Sequence, residues 1–178
     1  MPANIRKIYT GVGSRQTPPA ILDFMADLAE ALSAAGWTLR SGGADGADHA
    51  FESGAVHGAM EIYLPWRGFN GSRSPLYNVS QAALDMAGAV YPAWANLKEP
   101  VRKLHARNCY QVLGRNLDEP SRFLVCWTSD GAASESECTR ATGGTAMAIR
   151  LASRFGVPIF NLRNELHKAY IAQLMAHL

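Results

Sequence analysis

At 178 residues, 48% hydrophobic and 18% charged, the chain has the size and composition of one soluble globular domain with a sizeable core. A net charge of +2 and a pI of about 8.5 are too weak a cationic surplus to mark a nucleic-acid binder by themselves. The cysteines (Cys109, Cys126, Cys138) are odd in number and lack CxxC spacing, which argues against a disulfide framework or a structural zinc site and for a reducing compartment. With no leader-like segment and no apolar run of spanning length, the cytoplasm is the expected location, without membrane attachment.

In chain order, "IRKIYT" (5–10) reads as a strand stopped by Gly11. Thr17 is the expected cap of a helix opening on Pro18 and Pro19. Its apolar face is Ile21, Leu22, Met25, Leu28, Ala29 and Leu32, and Gly36 stops it. "WTLRS" (37–41) is a second strand, 44–57 an alanine-rich helix, and "AMEIYLP" (59–65) a third strand. Residues 65–97 are too long for a plain loop and read as an insertion holding a short helix at 80–90. A long helix (99–117) precedes a fourth, mostly apolar strand, "RFLVCWT" (122–128). A helix at 143–155, with Ile149, Ala152 and Phe155 inward, a fifth strand "VPIFNL" (157–162) and a closing helix (164–177) complete the chain.

Strands alternating with helices predict an α/β fold: a doubly wound, mostly parallel, Rossmann-like sheet with helices on both faces, spanning 1–178 as one domain. The first strand is expected at the centre, between the second and the fourth. Three glycine-bearing turns, Gly11–Arg15, Ser41–Asp48 and Thr128–Thr145, then share the carboxyl edge, each leading into a helix start that favours an anion. Glycine there lets backbone amides approach a phosphate, and Arg15 adds a bidentate cation. The turn is not the dinucleotide fingerprint, since Gln16 stands at the last glycine of GxGxxG.

"VGSR" after the first strand, "SGGADGADHAFESGA" after the second and "GGTAMAIRLASRFGVPIFNL" near the end resemble the Rossmann-like core of DprA/Smf, whose pattern is VGSR, SGxAxGxDxxAHxxAL and a glycine-rich helix start. That core belongs to the SLOG superfamily, with the LOG phosphoribohydrolases. The resemblance covers residues 5 to 162 apart from the insertion, and the layout is also similar to small stand-alone proteins of phages and bacteria. It implies a pocket for a nucleotide-like ligand or a nucleic-acid phosphate, lined by Gly13, Ser14, Arg15, Ser41, Gly42, Gly43, Gly143, Gly144 and Thr145. Gly11 belongs to the first of these turns, and Thr128 and Ser129 stand just past the fourth strand, placed to touch a ligand. Asp45 reads as a capping residue of the second helix, Asp48 as either a cap or a ligand for a ribose hydroxyl, and His49 as a packed helix residue.

Alignment with the LOG motif PGGxGTxxE puts Ala148 at the catalytic glutamate, with Ala141 and Thr142 in place of its first residues. An N-glycosidic cleavage of a nucleoside monophosphate would need another acid, with Asp130, Glu135 and Glu137 available in a loop that otherwise reads as solvated. Binding without turnover is therefore the leading expectation, cleavage the first alternative and DprA-like single-stranded DNA binding the second. In the insertion, arginines beside aromatics (Trp66, Arg67, Phe69, Arg73, Tyr77) suit a lid or a base-stacking surface, or simple packing. Arg107, Asn108 and Gln111 share about one helical turn and face either the crevice or solvent. The five histidines show no ligand spacing, so no metal or other cofactor is expected, and a homodimer is the expected assembly.

Overall fold

A computed structural model describes residues 5–178. Five strands, β1 (Ile8–Gly11), β2 (Thr38–Ser41), β3 (Met60–Ile62), β4 (Leu124–Cys126) and β5 (Ile159–Asn161), form one sheet in the order β3-β2-β1-β4-β5, and every pairing is parallel. This is the doubly wound α/β arrangement expected, with β1 between β2 and β4. Six helices accompany it: α1 (Pro19–Ala34), α2 (Ala47–Gly54), α3 (Gln81–Val90), α4 (Glu99–Leu113), α5 (Ala146–Arg154) and α6 (Glu165–Ala176). Among the described residues, no helix is long and apolar enough to cross a membrane.

The period of two along β4 divides the core. Leu124 and Cys126 join the cluster built by Ala83 and Ala87 of α3, Ala106 and Cys109 of α4, and Ile149 and Ala152 of α5. Phe123, Val125 and Trp127 turn to the other face, against Met25 and Leu28 of α1, Phe51 of α2 and Ile171 of α6. The chain changes face between β3 and β4, so the carboxyl ends of β1 and β4 bracket the topological switch point.

Several local expectations need correction. Thr17 does not cap α1: Pro18 is the cap residue, and the Thr17 hydroxyl donates back to the Ser14 carbonyl at 2.7 Å. The second helix begins only at Ala47, because Gly46 (φ 80, ψ −122) turns the chain beside Arg15. Asp45 is not its cap, since its carboxylate accepts from Asn70 Nδ2 at 2.9 Å, and His49 is exposed rather than packed. The long helix stops at Leu113, where Gly114 takes φ 76. Residues 140–145 form a 3-10 turn ahead of α5, and Phe155, one residue past that helix, is 47% exposed rather than inward. The insertion holds α3, and its small residues Ala83 and Ala87 let it lie close against α4.

The α1–α2 contact depends on Gly54, where a Cβ would overlap the main-chain carbonyl oxygen of Ala26. Helix propensity favours Gly54→Ala by about 1 kcal/mol, but forcing two backbones apart costs about 1–3 kcal/mol. The variant is therefore expected to lose stability, read as a lower urea midpoint; an unchanged or raised midpoint would show that the two helices are loosely packed.

Candidate functional site

A crevice of about 480 Å³ opens at the switch point, between the turn after β1, the start of α2, one face of α4 and the turn into α5. Of the expected ligand residues, Gly13, Ser14, Arg15, Asp48, Gly143, Gly144 and Thr145 line it. Gly11, Ser41, Gly42, Gly43 and Thr128 do not appear on its walls, and each has a structural occupation instead.

Those occupations are steric and hydrogen-bonding. A Cβ on Gly11 would stand 2.6 Å from the Phe51 ring, and one on Gly43 would stand 2.9 Å from Leu64. At Gly42 it would overlap the Gln111 amide and lie 2.6 Å from Arg107 Nη1. Even Gly13, on the wall, is held small by Ala47, 2.8 Å from its Cβ position. Most of these glycines therefore let strands, helices and loops touch, rather than admitting a phosphate. The Ser41 hydroxyl donates to the Gly11 carbonyl at 2.7 Å and joins the first two turns.

In the third turn, Thr128 is fully buried, its hydroxyl donating to Asp130 at 2.8 Å and accepting from Asn161 Nδ2 at 2.7 Å. Asp130 also receives the hydroxyls of Thr139 (2.8 Å) and Thr142 (2.5 Å). Desolvation pushes its carboxyl up, but the hydroxyls of Thr142, Thr128 and Thr139 outweigh it and hold the group down at about 2. Asp130 is thus the knot of this loop, while Glu135 pairs with Arg154 at 2.7 Å; neither they nor Glu137 line the crevice. Ser129 does line it, with Ala148 and Thr142 nearby.

The face of α4 supplies what the sequence left open. Arg107, Asn108 and Gln111 are all buried and all line the crevice, joined by Val101, Leu104 and His105, which no motif singled out. Only the helical period from Val101 through Leu104 and Asn108 could have found that stripe. Arg107 donates to the carbonyls of Gly42 and, at 3.2 Å, Tyr63, and through Nε to Asn108 at 3.1 Å. Asn108 then donates to the Gly144 carbonyl at 3.2 Å. Burial pulls the Arg107 guanidinium down to about 10 against the attraction of Asp48.

Asp48 is the one carboxylate on the crevice wall, 4% exposed, and takes part in no ion pair within 4 Å among the described residues. The Ala44 N–H donates to it at 3.4 Å. Burial raises its carboxyl from 3.8 to about 6, with Arg107 pulling the other way. Trp66 and Arg67 are exposed and lie off the crevice walls; Trp66 meets Phe69 edge-on at 5.4 Å, and Phe69 covers the Arg107 guanidinium at 5.5 Å. Among the described residues, no three His, Cys, Asp or Glu side chains group as metal ligands.

The raised Asp48 carboxyl has a sign that can be checked. Protonated below about pH 4, it imposes no charge burial; the penalty grows as pH rises from 3.8 to about 6 and is then constant. Asp48→Asn, which never ionises, is therefore expected to gain on the native chain across that window, by about 3 kcal/mol at most above it. Urea unfolding of both proteins at pH 4.5, 6 and 8 measures the difference; a pH-independent difference would mean that the carboxylate is not destabilised by folding. Comparison of the chain with protein-family models, curated proteins and solved structures returns no match.

Proposed function

We propose that the crevice binds a phosphorylated nucleotide or nucleotide-derived small molecule, and that the chain is a SLOG-like Rossmann protein of the cytoplasm that holds this ligand without turning it over. The observation that carries the reading is Gly144. It lines the crevice, does not have a positive φ, and a Cβ added to it would meet nothing within 4 Å. Neither packing nor backbone geometry calls for glycine there, whereas close approach of a ligand to the main chain does. The nine-residue α5 begins two positions later, with the positive end of its dipole at this turn.

Arg15 lines the same crevice, exposed and outside every ion pair among the described residues. An anion between Arg15 and the Gly143–Thr145 turn meets a guanidinium and a helix start together. The rest of the crevice suits the remainder of a nucleotide: its volume lies in the range of small-molecule sites, and Val101, Leu104 and Ala148 offer apolar wall to a base. With Ala148 at the LOG glutamate position and the loop carboxylates off the walls, binding is favoured over cleavage. A net charge of +2 gives single-stranded DNA little to hold.

Thermal shift and calorimetry with AMP, ADP-ribose and cyclic AMP test the reading, and at least one is expected to raise the melting temperature. Arg15→Ala should weaken that ligand roughly ten- to a hundredfold, as the loss of a charge-assisted contact worth about 1.5–3 kcal/mol, and leave stability within about 1 kcal/mol. Gly144→Ala should fold as the native chain does and bind more weakly. The reading fails if no nucleotide stabilises the fold at millimolar concentration, or if both variants bind unchanged.

A further inference from the structure

The insertion carries a dipeptide with a reactivity of its own. Asn70 is the one asparagine in the chain that glycine follows. Both residues are exposed, and Asn70 (φ 50) and Gly71 (φ 75) form a left-handed tip after Gly68 (φ 73). The asparagine side chain is also a fastening. Its Nδ2 donates to the Gly43 carbonyl at 3.1 Å and to Asp45 Oδ1 at 2.9 Å, which joins the insertion to the turn after β2. Arg107 holds the neighbouring Gly42 carbonyl of that turn and lies under the Phe69 ring at 5.5 Å. Ala44 and Asp48, a little further along, are crevice wall.

An asparagine before glycine is open to attack by its own main chain. The Gly71 nitrogen gives its proton to hydroxide and bonds to Asn70 Cγ, the Cγ–Nδ2 bond breaks, and ammonia leaves. Water then opens the cyclic imide at either carbonyl, giving an aspartyl residue or an isoaspartyl one whose main chain runs through Cβ and Cγ. Nothing is oxidised or reduced, and water is the co-reactant. A side chain at residue 71 would hinder the attack; glycine has none, and nothing stands within 4 Å of its Cβ position. In the closed loop the Gly71 N–H donates to the Gly68 carbonyl at 3.0 Å and Nδ2 is held by two acceptors, so the reaction proceeds from an opened loop. These bonds lie at the surface, where opening costs little.

The product reverses the fastening. An amide that donates twice becomes a carboxylate that only accepts, set against the Asp45 carboxylate and the Gly43 carbonyl. Like charges so placed repel. The isoaspartyl form also lengthens the main chain beside Phe69.

We propose that Asn70–Gly71 is a deamidation site, and that its conversion releases the insertion from the turn after β2 and so loosens one wall of the crevice as the protein ages. The site does not depend on what the crevice binds.

The test holds the purified native chain at pH 7 and pH 9 and follows the tryptic peptide Gly68–Arg73 by mass spectrometry. Amide-to-acid conversion is expected in that peptide, faster at pH 9, while the peptides carrying the other asparagines stay amidated. Isoaspartyl methyltransferase should label part of the product. Asp45→Ala, which removes one acceptor, should quicken conversion roughly two- to fivefold, as expected for an exposed charge-assisted contact. Amide exchange of residues 42–45 reads the release: in the aged chain and in Asn70→Asp it should be roughly tenfold faster than in fresh native chain. Asn70→Ala, which removes the donors without adding charge, should fall between. A Gly68–Arg73 peptide that stays amidated at pH 9 overturns the site. Conversion without faster exchange in that turn overturns the release, as does equal exchange in Asn70→Ala and Asn70→Asp.

Discussion

The crevice depends on one buried guanidinium. The carbonyls of Gly42 and Tyr63 lie where the chain has just left β2 and β3, beyond the reach of the sheet's ladder, and Arg107 of α4 supplies donors to both. A buried carbonyl left without a partner costs about 1–3 kcal/mol, so two such groups on adjoining strand ends would destabilise the edge on which the site is built. The same side chain holds Asn108 through Nε, and Asn108 reaches the Gly144 carbonyl in the turn before α5. One helical turn thus fixes three separate segments, and Phe69 of the insertion closes over the guanidinium. The insertion after β3 acts on the site through this contact.

That arrangement also explains why Asp48 is unusual. A buried carboxylate beside a buried guanidinium would ordinarily form an ion pair, and breaking such a pair costs about 3–5 kcal/mol. Here the guanidinium is committed to carbonyls and to Asn108, so Asp48 receives its field from a distance and only weak amide support. Burial therefore prevails over attraction in setting its titration.

The layout was legible in the sequence because strand and helix periods differ and crossover handedness leaves few orders open; β1 at the centre followed from those rules. Gly13, Ser14 and Arg15, Asp48, and Gly143 to Thr145 were legible as crevice residues because each sits at a strand-to-helix turn on the carboxyl edge. The meaning of the other glycines was not. Whether a glycine admits a ligand or a neighbouring side chain depends on what stands over its Cα, and at Gly42 that is Arg107 and Gln111 from another element. The orientation of Arg107 likewise depends on partners 65 and 44 positions away. Thr128 looked available from its place after β4, but its hydroxyl is taken by Asp130 and Asn161, the latter 33 positions on. Contacts at such separations have no local signature.

A second buried arginine, on the wall of a smaller cavity of about 300 Å³, shows buried polarity met in full. Arg40 in β2 is fully buried, and all three of its side-chain nitrogens are engaged: Nε with Glu61 at 2.7 Å, Nη1 with the Glu119 carbonyl at 2.6 Å and Nη2 with the Glu119 carboxylate at 2.7 Å. Glu61 in turn takes Arg6 and the Tyr63 hydroxyl, each at 2.8 Å. One residue further along β2 the Ser41 hydroxyl is bonded as well, and immediately after it the chain reaches Gly42, against which Arg107 and Gln111 of the crevice wall pack. The strand does not lack the means to pair its polar groups, since Arg40 and Ser41 are served by loops as remote as residue 119. Elsewhere among the described residues the buried Tyr9 hydroxyl, Ser33 Oγ, Glu52 Oε1 and His105 Nδ1 have no partner, and of these four only His105 lines the crevice.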